Sequence, residues 1–259
     1  MKPAMLLFLL LHCVEATAIK PLKEYRDTPD GLGMPYTEHV VKAGSANITT
    51  WLLPQKDTTV KKTIILCNSD YGNMSYVLPL AKNWYDCGFN VILFDYRGFG
   101  QSSPFAIDSN RLFYEEYSED FLAVFSFYKN TRGFDPRVYA SSMGTIIATI
   151  AYGKQPALFT QPFVFDSFIE SPDYTLSYLR EWKNRPFSAP FADAQYVRYV
   201  DELKAHPTIF LRGSADLVAH PAGTAMTAES PNWTTMEFKG GHLQAPYILG
   251  EKLFGVICE

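Results

Sequence analysis

Apolar positions along this chain alternate between short unbroken runs and helically spaced sets. Thr63-Ile64-Ile65-Leu66-Cys67 and Phe89-Asn90-Val91-Ile92-Leu93-Phe94 are nearly continuous apolar stretches, as in strands buried on both faces. Between them, Val77, Leu78, Leu80, Ala81 and Trp84 recur at helical spacing over residues 77–87. Downstream, the pattern predicts a helix over Tyr114–Tyr128, a strand over Arg137–Ser141, a helix over Gly144–Tyr152 and a strand over Phe163–Ile169. The last third predicts a strand at Thr208–Leu211, a helix near Ala222–Ala228, a strand at Thr235–Phe238 and a closing helix from Pro246. Ahead of them all, Thr37–Lys42 and Ile48–Leu53 flank the Gly44–Asn47 turn and predict an antiparallel hairpin. Strands alternating with helices need right-handed crossovers, and hence a mainly parallel twisted sheet with helices on both faces. No Pro/Gly/Ser-rich linker divides the chain, so one domain is expected. Its active site belongs at the carboxyl ends of the strands.

Composition narrows the picture. The 259 residues are 47% hydrophobic and 15% aromatic, enough for a large core. With 23 Lys+Arg against 27 Asp+Glu the net charge is −4, which leaves no basic surface for a nucleic-acid partner. At the start, Lys2 precedes the apolar run Ala4–Leu11 and then the small residues Ala16-Thr17-Ala18. A membrane span needs about 20 apolar residues, so no transmembrane segment is predicted. The order instead matches a secretory signal peptide over residues 1–18, followed by a lead-in over 19–34 and a domain over 35–259, in a secreted or periplasmic protein. A lipid anchor at Cys13 is the alternative, with His12 standing where a small residue is expected.

Past that leader the cysteines are Cys67, Cys87 and Cys258. Cys67 ends one predicted strand and Cys87 precedes the next, so the two lie at opposite ends of the sheet. A Cys87–Cys258 bridge stays open, and an odd count leaves a free thiol. Neither a C-x-x-C pair nor a histidine pair at metal spacing occurs, so no metal and no cofactor are expected. The sequons at Asn47, Asn73 and Asn232 matter only in a eukaryotic secretory pathway.

The candidate chemistry centres on Val138-Tyr139-Ala140-Ser141-Ser142-Met143-Gly144-Thr145. A strand ends, a serine sits among small residues, and an apolar helix follows at once. That is the nucleophile-elbow pattern G-x-S-x-G, with Ala140 in the first glycine position. A turn tight enough to lift a serine Oγ off the sheet has room only for small residues two before and two after it. Such a serine needs a base, and the base an orienting acid. His39 and His206 fall at the wrong ends of their strands. His242 follows the strand Thr235–Phe238 through Gly240-Gly241, at the carboxyl edge. Asp216 follows the neighbouring strand Thr208–Leu211. The chain order is Ser142, Asp216, His242, and Glu170, also after a strand, is the alternative acid.

With these residues in place, the chain resembles the α/β-hydrolase superfamily over nearly all of residues 35–259. It is most similar to small serine hydrolases of the serine aminopeptidase-like and acyl-thioesterase-like branch. Phe94-Asp95-Tyr96-Arg97-Gly98-Phe99-Gly100-Gln101-Ser102 matches that family's D-Y-R-G-x-G-x-S segment, and Glu170-Ser171-Pro172 and Gly213-Ser214-Ala215-Asp216 match its text after the sixth and seventh strands. The resemblance implies a small cap between those strands, over residues 173–205, rich in aromatic rings. It gives Asp95 and Arg97 a structural turn, and it makes the backbone N–H groups of Met143 and Asp70 the oxyanion donors. Two departures stand out. Asn68-Ser69 replaces the family's His-Gly, and Asp70 brings a negative charge to an anion-stabilising site. The implied activity is hydrolysis of a small-molecule carboxylic ester or thioester through an acyl-enzyme. An aminopeptidase-like peptidase, or a catalytically impaired binding protein of the same fold, is the alternative.

Overall fold

A computed structural model describes residues 17–221 and 226–258. Its centre is an eight-stranded sheet made of β1 (Thr37–Ala43), β2 (Ala46–Leu53), β3 (Thr63–Cys67), β4 (Asn90–Phe94), β5 (Arg137–Ser141), β6 (Phe163–Asp166), β7 (Thr208–Gly213) and β8 (Trp233–Phe238). Their order across the sheet is β8-β7-β6-β5-β3-β4-β2-β1. The hairpin β1–β2 is antiparallel, as is the β2–β4 pairing, while the other neighbours run parallel. β3, β4 and β6 are buried at every residue, which explains their unbroken apolar runs.

The helices are α1 (Leu78–Asp86), α2 (Glu116–Arg132), α3 (Met143–Lys154), α4 (Pro172–Lys183), α5 (Asp193–Leu203) and α6 (Ala245–Cys258). α1 and α6 cover one face, where Leu78, Ala81, Trp84, Leu253 and Ile257 pack on the sheet. α2, α3 and α5 cover the other through Tyr117, Phe121, Ile146, Ile150 and Tyr196. α2 ends on Gly133, whose φ of 63° supplies the left-handed cap. The sequence pattern carried the sixth strand to Ile169, but Ser167 adopts φ 58° and turns the chain after Asp166. The helix expected near Ala222–Ala228 falls partly on residues 222–225, outside the described residues; Met226–Ala228 is not helical.

In the region 173–205 the aromatic rings divide between two duties. Tyr196 and Phe187 are buried in the core, whereas Trp182 stands 64% exposed over the sheet's carboxyl edge. Among the described residues Cys67 is a free, buried thiol and Cys87 is disulfide-bonded. The expected leader lies outside the described residues except for Thr17 and Ala18, and Ala18 is buried. The lead-in is built into the same fold: Ile19 is fully buried, and Lys20–Pro21 pairs in parallel with Tyr71–Gly72.

One close approach ties this architecture to the site. A Cβ on Gly144 would lie 2.1 Å from the Cys67 carbonyl oxygen and 2.7 Å from that of Asn68. Both obstacles are backbone, so neither can swing away. Gly144→Ala is therefore expected to destabilise the fold by about 1–3 kcal/mol or more. Urea unfolding checks this, and a change within 0.5 kcal/mol (roughly the scatter of neutral surface substitutions) would contradict it.

Candidate active site

β5 ends at Ser141, and α3 begins two residues later at Met143. Ser142, between them, adopts φ 50° and ψ −118°, a conformation a non-glycine residue holds only when its surroundings enforce it. The enforcement is visible on both sides. Its N–H donates to the Asp166 carbonyl at 3.0 Å, and its own carbonyl accepts from Thr145 N–H at 2.8 Å and Thr145 Oγ1 at 2.7 Å. Ala140, in the place of the elbow's first glycine, is fully buried within the core on the α3 side of the sheet. Ser142 is the N-cap of α3 and its side chain makes no cap hydrogen bond, so the N–H of Met143, the first helical residue, takes no acceptor from it.

His242 follows β8 and reaches over the elbow. Its Nε2 lies 2.9 Å from Ser142 Oγ, and its Nδ1 lies 2.9 Å and 3.0 Å from the two oxygens of Asp216. An imidazole with its proton on Nδ1 leaves Nε2 free to accept the serine proton. The loop bearing His242 sits tight against β7, since a Cβ on Gly213 would meet the Gly240 carbonyl oxygen at 2.6 Å. Leu243 takes φ 58°, and its N–H donates to Ser167 Oγ at 2.8 Å. Asp216 is buried, which alone would raise its carboxyl. Hydrogen bonds from His242, Ser167 and the Ala219 N–H outweigh burial and hold it below the usual carboxylate range.

The other acids take separate places. Glu170 is turned away from His242; its carboxylate accepts from Thr227 N–H at 2.9 Å, Thr227 Oγ1 at 2.6 Å and the Ala228 N–H. Asp166, which pattern reading passed over, closes β6 in the core. Burial pushes its carboxyl up to about 6, against the pull of the Tyr139 hydroxyl donating to Oδ2 at 3.0 Å and of nearby His242. An acid ending an otherwise apolar run was the available signal for it. Asp95 is buried and raised to about 7. It accepts the Met74 N–H at 2.6 Å and the Tyr25 hydroxyl at 2.9 Å, so it pins the loop after β3. Arg97 is held by Asp120 of α2, with Nε and Nη2 at 2.9 Å and 2.7 Å from Oδ1. The Cys67 thiol is pushed up to about 12 by burial and lies 3.1 Å from the Tyr96 hydroxyl, a packing position rather than a reactive one.

Ser142 and His242 open into a cleft of about 140 Å³ that Asp70, Trp182 and Lys183 also line. Burial raises the Asp70 carboxyl, while its own N–H and the charges of His242 and Lys183 counter that rise. Ser69, where the family has glycine, is not among the described residues with positive φ; Gly72 supplies that conformation in this loop, at 84°. The backbone therefore tolerates the serine. Nothing in the spacing around Lys183 or Thr17, which also lines the cleft, marked either for this position.

With this geometry in view, comparison with known proteins places the chain. The family model described as serine aminopeptidase, S33, matches residues 58–188. An uncharacterized protein, YfhR, of Escherichia coli O157:H7 is 23% identical over 229 residues, spanning 84% of this chain and 76% of that protein. A probable lysophospholipase L2 of Haemophilus influenzae is 33% identical over 105 residues, 38% of this chain and 32% of that protein. Among solved structures, the Pyrococcus furiosus esterase Pf2001 superimposes with a TM-score of 0.70 at 16% identity, over 92% of this chain and 97% of that one. Carboxylesterase CesB of Bacillus subtilis gives 0.58 at 16%, over 87% and 92%. At these identities the structures speak for the fold, and the family match covers half of the chain, including β3, the Asp95 turn and the Ser142 elbow. The chain belongs to the serine aminopeptidase (S33) family of α/β hydrolases.

Proposed function

We propose that this hydrolase cleaves a small carboxylic ester or thioester through an acyl-enzyme on Ser142. The observation that carries the reading is the unbroken hydrogen-bonded line from Asp216 through His242 to Ser142 Oγ. In this reading His242 Nε2 takes the serine proton as Oγ attacks the carbonyl carbon, and Asp216 holds the ring and stabilises the imidazolium. The backbone N–H groups of Met143 and Asp70 receive the oxyanion. His242 then returns the proton to the leaving alcohol or thiol and activates the water that releases the acid. A cleft of about 140 Å³ suits short acyl groups.

A second reading rests on one observation. The Asp70 carboxyl group lies in the cleft, where it would attract a substrate ammonium, as in release of an N-terminal residue from a peptide.

A fluorophosphonate probe should label the wild type stoichiometrically and leave Ser142→Ala unlabelled; an unlabelled wild type, or an equally labelled variant, contradicts the assignment. In the same assay series Asp216→Asn should lower ester kcat by about 10²–10⁴-fold, while Glu170→Gln stays within about threefold, since it faces Thr227 rather than His242. Reversal of that ranking would move the acid.

Removing the charge at position 70 should help an oxyanion and harm a cation. Asp70→Asn is expected to raise kcat/KM on neutral short-chain esters about three- to tenfold, a charge effect of roughly 1 kcal/mol. It should lower turnover of aminoacyl p-nitroanilides if the peptidase reading holds. A fall on neutral esters would show that the carboxylate is needed there.

We also read the apolar start as an export signal, cut after Ala16 rather than after Ala18. A cut after Ala18 would leave a new ammonium on the fully buried Ile19 and remove the buried Ala18. The intact mass of the secreted chain should therefore begin at Thr17; a start at Ile19 overturns this boundary.

A further inference from the structure

The lead-in segment runs along the loop that follows β3. Lys20 N–H donates to the Asp70 carbonyl at 2.9 Å, and Leu22 N–H donates to the Gly72 carbonyl at 2.9 Å. Asn73 answers from the loop, its Nδ2 donating to the Leu22 carbonyl at 3.0 Å and the Glu24 carbonyl at 2.7 Å. The strap is anchored on its other side as well. Gly100 N–H donates to the Leu22 carbonyl at 3.0 Å, and Ala18 N–H donates to the Ser109 carbonyl at 2.7 Å. At the front, Lys183 Nζ of α4 reaches the Thr17 carbonyl at 3.3 Å, and Thr17 and Ala18 line the cleft that holds Ser142 and His242.

We propose that residues 17–22 are a positioning element of the active site: their backbone fixes the peptide that follows Asp70 and so restrains the adjoining Asp70 N–H, and Thr17 with Ala18 limits the length of acyl group the cleft admits. The physical reason lies in the loop's geometry. The loop turns at Gly72, whose φ is 84°, and the carbonyls of Asp70 and Gly72, on either side of Tyr71, each accept an N–H from the strap. The Asp70 carbonyl accepts its backbone hydrogen bond from Lys20 of the strap. Pairing this carbonyl with Lys20 fixes the orientation of the peptide that follows Asp70, and the Leu22 bond fixes the plane two residues on. An edge strand added to a loop in this way supplies order that side chains do not. The oxyanion part of this inference rests on the hydrolase reading above; the ordering of the loop does not.

The test separates the two. Lys20→Pro removes the N–H donor while keeping an extended backbone. Hydrogen exchange of the amides at residues 70–74 should quicken at least tenfold in this variant, a readout independent of turnover. Ester kcat should fall about tenfold or more with KM within about threefold, because a donor displaced from the oxyanion acts on the transition state. Lys20→Ala retains the N–H and should restore both values. Thr17→Trp, on the cleft wall, should lower kcat/KM for octanoyl esters at least tenfold more than for acetyl esters, whatever the folding of the proline variant. Unchanged exchange in Lys20→Pro overturns the positioning role. Quickened exchange with unchanged kcat removes Asp70 from the oxyanion site while leaving the strap intact. An acyl-chain preference unaltered by Thr17→Trp overturns the wall.

Discussion

Everything at this site depends on one steric contact, the approach of the first turn of α3 to the end of β3. Gly144 lies so close to the Cys67 and Asn68 carbonyls that a single methyl group would collide with both. That approach leaves Ser142 no relaxed conformation, and its φ of 50° follows. The strain is useful because it lifts the hydroxyl off the sheet at the start of α3 and brings it to His242. Ala140 shows how asymmetric the constraint is. A methyl is accepted two residues before the serine, where it joins the core, and none is accepted two residues after.

Around that contact the molecule buries Asp216, Asp166 and Asp95, half-buries Asp70, and treats each differently. Asp216 is held ionised by donors. Asp166, at the end of β6, has only hydroxyl partners and rises to about 6. Asp95 spends its oxygens on a tyrosine and a loop N–H. Asp70 faces the cleft. Environment, not residue type, assigns the roles, as the number of N–H and imidazole donors each carboxylate collects makes plain.

The sheet and its order were legible because β3, β4 and β6 are buried on both faces and so carry continuous apolar runs. The elbow, Asp216 and His242 were legible because each follows its own strand. The legible features are those that one local stretch specifies. Asp166 is not legible from pattern because the apolar residues of Phe163–Ile169 run on past it, and only the left-handed Ser167 ends the strand there. Thr17, Lys20 and Lys183 are not legible for a different reason. Their contribution is made by backbone groups and by a reach across the cleft, and neither leaves a mark on hydrophobic periodicity. Thr17 and Ala18 line the cleft, and Lys20 and Leu22 pair with the loop that follows β3.

The proposed reaction requires Ser142 Oγ to form a bond to the acyl group. The most direct measurement is rapid-quench mass spectrometry of the protein mixed with p-nitrophenyl acetate. The prediction is a transient mass gain of one acetyl group that maps to the peptide containing Ser142, forms with the burst of p-nitrophenol and decays at the steady-state rate. Turnover of the ester with no adduct at any time, or an adduct mapping to another residue, would contradict it.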